Sequence, residues 1–183
     1  MNITELTEHQ IRNWPAERVK VFVDSGEYDP LDLSPLQTEV KELGACDYRS
    51  NCERYAVLRF RSIDELIVSM SHERKLFEEK LEQLKAYKTV QIIVEADYEK
   101  FATGKYDRDM HLKAAKATIT SWEIQYDVHV NFVGNRQFAE DEAYRFFYYS
   151  NRQDLREKAG LSLIHNSAPK RRRGISLAVF CLK

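Results

Sequence analysis

Tyr55-Ala56-Val57-Leu58-Arg59-Phe60-Arg61-Ser62-Ile63-Asp64-Glu65-Leu66-Ile67 is the stretch that decides the fold. Its first six residues have the aromatic and aliphatic make-up of a strand. Ser62, with Glu65 three residues on, has the capping-box pattern, and Ile63, Leu66, Ile67 and Met70 follow at helical spacing. A buried strand therefore feeds directly into a helix. Towards the N-terminus, residues 45–54 continue the extended region. Residues 36–43 have a short helical pattern stopped by Gly44, and Val19-Lys20-Val21-Phe22-Val23 is a strand that ends in the turn formers Asp24-Ser25-Gly26-Glu27.

In the other direction, Leu76, Phe77, Leu81 and Leu84 predict a second helix over residues 72–87. Thr89-Val90-Gln91-Ile92-Ile93-Val94 is a short apolar run of the kind buried in parallel sheets. Helical patterns cover residues 97–103, 110–125 and 140–156, with a strand at 127–133 between the last two. Strands alternating with helices imply an α/β fold, a central sheet with helices packed on it. The reading divides the chain into an N-terminal arm (1–18), one domain (19–165) and a basic and apolar tail (166–183).

The chain has 183 residues, 43% hydrophobic and 31% charged, with a formal net charge of −1. That balance suits one globular domain with a real core. It lacks the general positive excess of many nucleic-acid binders, so DNA binding would need a local patch, for which Lys170, Arg171, Arg172 and Arg173 offer one run. Cys46, Cys52 and Cys181 form no zinc-type spacing and suit a reducing compartment, which with the polar N-terminus gives a cytoplasmic expectation. No apolar stretch approaches the length of a membrane span.

Four stretches, in order, resemble the nuclease domain of the XPF-type structure-specific endonucleases. Asp24-Ser25-Gly26-Glu27 is similar to the family's Asp-Ser/Thr-Arg-Glu, and Cys46-Asp47-Tyr48 to its Gly-Asp-Tyr. Leu58-Arg59-Phe60, with Asp64 downstream, occupies the place of its Glu-Arg-Lys, three residues, then Asp. Ser69, Arg74, Phe77-Glu78 and Ile92-Ile93-Val94-Glu95 complete the set. Gly104-Lys105-Tyr106, residues 121–126 and Phe147-Tyr148-Tyr149 resemble compact bacterial and phage members. The resemblance implies a restriction-endonuclease-like core with a mixed sheet, and hydrolysis of DNA with magnesium or manganese held by carboxylates.

By that resemblance Asp24 and Asp47 are the metal ligands, Asp24, Asp47, Arg59 and Asp64 the catalytic set, and Arg59, Arg61, Arg74 and the 170–173 run the DNA contacts. Yet Leu58 stands where the family has its glutamate, Phe60 where it has its lysine, and Gly26 where it has an arginine. These replacements favour a weakened or inactive nuclease that still binds DNA, at a branch or a single-strand/double-strand junction, alone or as a homo- or heterodimer. One alternative is an active enzyme whose site is shifted onto Asp24, Glu27, Asp47 and Asp64, with Arg59 or Arg61 in place of the lysine. Another is a protein-interaction or inhibitor domain on the same fold. Glu73-Arg74-Lys75 repeats the family's tripeptide literally, but its place between two helical runs assigns it to a solvated helix face. Glu95 is expected to partner Arg59 or Arg74, and the aromatics 146–149 to serve mainly as core.

Overall fold

The structure is a computed structural model and describes residues 3–107 and 110–161. Lys170, Arg171, Arg172 and Arg173 lie outside the described residues, as does the tail expected at 166–183. Six strands form one sheet in the order β2-β1-β3-β4-β5-β6. They are β1 (Lys20–Asp24), β2 (Gln37–Lys41), β3 (Tyr48–Ser50), β4 (Tyr55–Phe60), β5 (Thr89–Val94) and β6 (Val128–Phe132). β3 is antiparallel to both β1 and β4, whereas β1–β2, β4–β5 and β5–β6 are parallel. The sheet is therefore mixed, as the resemblance implied.

Helices cover both faces. On one, Ala56, Leu58 and Phe60 of β4 pack under α2 (Ile63–Met70), α3 (Arg74–Leu84) and α5 (Leu112–Tyr126). The short α4 (Tyr98–Ala102) adds Phe101 to the same core. Phe60, Phe77 and Trp122 run from strand to helix to helix, with ring centroids 5.4 and 4.8 Å apart. On the other face Val21, Val23, Val57 and Ile93 meet Ala139, Ala143 and Phe147 of α6 (Arg136–Lys158). All six residues of β4 are buried, which is why this central strand reads as a continuous apolar run broken only by Arg59.

The arm docks on the main domain. α1 (Glu8–Arg12) begins with a Thr7–Gln10 capping box, and Leu6 and Ile11 pack against Leu155 of α6. Arg156 binds Glu8 through both Nε and Nη2, at 2.8–3.1 Å. A second clamp holds the far end of α6: Arg54 reaches Asp154 at 2.9 Å and Glu157 at 2.7 Å, and Lys88 also pairs with Glu157.

One element differs in kind from the sequence expectation. Residues 36–43 contain the strand β2 and no helix. Leu36, Val40 and Leu43 are spaced like a helical face, but Leu36 is buried in the connection before the strand and Val40 is 68% exposed at the sheet edge. Parallel pairing with β1 satisfies this backbone, and an edge strand has no inner face to impose a period of two. The last helix also starts earlier than 140, because Asn135 caps it by accepting from the Phe138 amide.

Candidate functional site

Alternation along the strands sends Asp24 from β1, Asp47 from the residue before β3, and Leu58 and Phe60 from β4 to the same face of the sheet. Backbone bonds lock these strands together: the Asp24 amide donates to the Asp47 carbonyl at 2.8 Å, and the Asp47 amide to the Val57 carbonyl at 3.1 Å. The α2–α3 pair then roofs the face. The result is a pocket of about 120 Å³ lined by Asp47, Leu58, Phe60, Ser69, Glu73 and Lys80. Beside it a wider cleft of about 420 Å³ is bordered by Glu27, Tyr28, Arg61 and Glu65, and shares Asp47, Ser69 and Glu73.

Asp47 sits at the centre. One carboxylate oxygen accepts from the Arg59 amide at 2.6 Å. Burial pushes its pKa up to about 6; the Arg59 amide works against that rise, while Glu27 and Asp24 add to it by repulsion and Lys80 offsets part of it. Asp24 is held differently. Its oxygens accept from the Leu43 amide at 2.7 Å and the Gly26 amide at 2.9 Å. Burial acts to raise its pKa, but these amides outweigh burial and hold it below the usual aspartate range. The same turn explains why Gly26 stands where the family has arginine: a Cβ here would lie 2.9 Å from the Asp24 carboxylate.

Arg59 points to the opposite side of the strand. Its side chain is 1% exposed. Its Nε donates to Glu95 at 2.5 Å, and its Nη1 donates to Glu27 at 3.2 Å and to the Asp29 carbonyl at 2.5 Å. Glu95, at the end of β5, is thus a partner of Arg59, one of the two expected. This network ties the loop after β1 to β4 and β5, and it encloses the guanidinium that the sequence reading assigned to DNA. Arg61 also pairs with Glu27, but it remains at the surface with its guanidinium 3.9 Å from the Tyr28 ring centroid.

Asp64 does not join Asp24 and Asp47 in this pocket. It lies in the first turn of α2, where it accepts from the Asp107 amide at 3.0 Å. Arg74 pairs with Glu78 one turn along α3. Leu58 and Phe60 are 4% and 7% exposed and form the floor beside Asp47. Among the described residues no group of three or more histidines, cysteines, aspartates or glutamates is placed to share one metal ion. The donor set implied by the resemblance is therefore not assembled: Asp24 is engaged by backbone amides, Asp64 lies elsewhere, and an alkyl group takes the place of the third carboxylate.

Sequence reasoning missed Glu73 and Lys80 at this pocket. Together with Phe77 they are spaced i, i+4, i+7 along α3, one face of a helix. Phe77 was read as a core residue, and that reading already fixed the direction in which its two charged neighbours face.

The mixed sheet, its roofing helices and the carboxylate-bearing cleft define a nuclease-fold protein of the restriction-endonuclease-like class. The family model described as ERCC4 domain matches residues 15–146, and the chain belongs to that family. Among solved structures, XPF from Aeropyrum pernix in complex with DNA is similar at 20% identity and a TM-score of 0.59, over 74% of this chain and 66% of that one. XPF from Aeropyrum pernix in a second structure gives 22% identity and a TM-score of 0.58, over 72% and 61% of the two chains. The chain thus spans less than two thirds of the length of these XPF chains. No curated protein matches.

Proposed function

We propose that the chain is a DNA-binding protein of nuclease fold whose phosphodiester cleavage is weakened or lost. The observation that carries this reading is the pair Leu58 and Phe60, which form an apolar floor beside Asp47 where the family motif has a carboxylate and an ammonium group. Without them a cation has fewer hard oxygen ligands, and the transition state loses a positive neighbour. Support for DNA as the partner comes from family membership and from the DNA complex of the Aeropyrum pernix protein. The cleft between Tyr28, Arg61 and the α2–α3 roof is the candidate interface, with Arg61 free to turn one edge towards a phosphate. A branch or a single-strand/double-strand junction is the proposed substrate class, and magnesium or manganese the proposed ion if cutting survives.

The test is one set of samples: labelled flap, fork and single-stranded DNA, with magnesium or manganese, read for both binding and cleavage, with Asp24→Ala as control. Binding with little or no cutting is the expected result. Cutting at a rate typical of an intact nuclease, abolished in Asp24→Ala, overturns the weakened reading and places the ion at Asp24. Neither binding nor cutting moves the chain to the protein-interaction class.

A further inference from the structure

The pocket at Asp47 retains charged groups with nothing bound to them. Among the described residues the Glu73 carboxylate, the Lys80 ammonium and the Ser69 hydroxyl make no hydrogen bond or ion pair, although all three line the pocket. That is unusual in this molecule, whose other acidic and basic side chains pair extensively across the surface. Ser69 is 7% exposed, so an unpartnered hydroxyl is buried at the wall of the cavity, a costly arrangement unless something in the cavity accepts it. Asp47 uses one oxygen on the Arg59 amide, and its other oxygen has no protein partner among the described residues.

The helix fixes how these groups face. Phe77 packs on Phe60 and Trp122, so α3 cannot rotate about its axis. Glu73, one turn before Phe77, and Lys80, one turn after, must then lie on the face that covers β4. A carboxylate and an ammonium group thus hang from the roof over the floor that lost both.

We propose that Asp47 and Glu73 form a divalent-cation site of the magnesium or manganese type, with the Ser69 hydroxyl holding a water of that ion and Lys80 placed for an anionic group bound to it. Magnesium keeps several waters and takes only one or two carboxylates with a phosphate, so two carboxylates on opposite walls suffice. The donor set has moved from strand to helix. This inference rests on reading the cleft as the DNA face, but the ion is measurable without DNA.

The experiment is a manganese titration of the full chain, read by the electron spin resonance signal of the free ion. DNA binding is measured on the same preparations. One weak site is expected. Asp47→Asn and Glu73→Gln should each weaken it about tenfold or more, because affinity for such ions follows carboxylate number. Glu73→Gln is a clean probe, since Glu73 precedes α3 without a side-chain cap bond. Glu79→Gln, on the outer side of the same helix, should leave the site unchanged, and Lys80→Met should tighten it by removing a like charge. Absence of any site, or a site indifferent to Glu73→Gln, overturns the proposal and leaves the DNA-binding reading standing. Loss of DNA binding with the manganese pattern intact does the reverse.

Discussion

Asp47 carries the largest electrostatic tension at the site. Its pKa is raised by burial to about 6, so the folded chain binds its proton more tightly than the unfolded chain does. Stability from this group is complete at low pH and is lost as pH rises from the usual aspartate range through about 6. Asp47→Asn keeps an oxygen for the Arg59 amide and removes the charge. We expect it to stabilise the protein by roughly 1–2 kcal/mol at pH 7.5 and to have little effect near pH 4. Urea denaturation at the two pH values checks this, and equal effects at both would exclude a buried charge as the cause. A site that destabilises its own fold fits a group kept for binding. The reading of residues 58 and 60 followed from the sequence because a strand's alternation fixes the face on which its side chains lie. The role of Asp24 did not, because amides from Leu43 and Gly26 engage its carboxylate, and Leu43 is 19 residues away.

Elements were legible where local chemistry decides them. Ser62 caps α2 as expected, accepting from the Glu65 amide at 3.2 Å, although Glu65 reaches back to the Arg61 amide and not to that of Ser62. Ser62→Ala should cost about 1 kcal/mol, seen as a lower denaturant midpoint with unchanged slope. β2 was not legible, since an edge strand shows no burial period and owes its existence to β1. Glu73 and Lys80 were legible in spacing but not in meaning. Two charges on a helix ordinarily face water, and only the packing of Phe77 against Phe60 turns them inward. Of the contacts assigned to DNA, Arg61 alone among Arg59, Arg61 and Arg74 stands at the cleft with surface exposure. Arg59 was assigned from a motif that, in this chain, has become a tie between a loop and two strands.

Over the whole molecule, stability depends on joining α6 to the sheet. Arg54 at the start of β4 holds Asp154 and Glu157, and Asp154 is buried with a side chain 3% exposed. Burial acts to raise the pKa of Glu157, but Lys88, Gln153 and Arg54 outweigh it and bring the value down to about 2. This contribution is present above the usual glutamate range and is lost as pH falls towards about 2, the opposite slope to that of Asp47. Arg54→Met should cost about 2 kcal/mol at pH 7, because it leaves a buried carboxylate with only Lys158 as its partner. The loss should shrink on acidification, which thermal melts at pH 7 and pH 3 would show. The mixed sheet and its two helical layers were legible from the alternation of strands and helices. The docking of the arm was not, because contacts between the first and last helices leave no local mark in either.

The bond between Glu8 and Arg156 spans 148 residues of sequence. During synthesis α1 must therefore wait, with Leu6 and Ile11 unprotected, until nearly all of the domain has emerged from the ribosome. Contacts this distant in sequence slow folding, since the intervening loop must be ordered before they form. The arm is thus expected to dock last, and a nascent chain arrested before residue 150 should leave it open to protease while the strands near the middle of the sheet are already resistant.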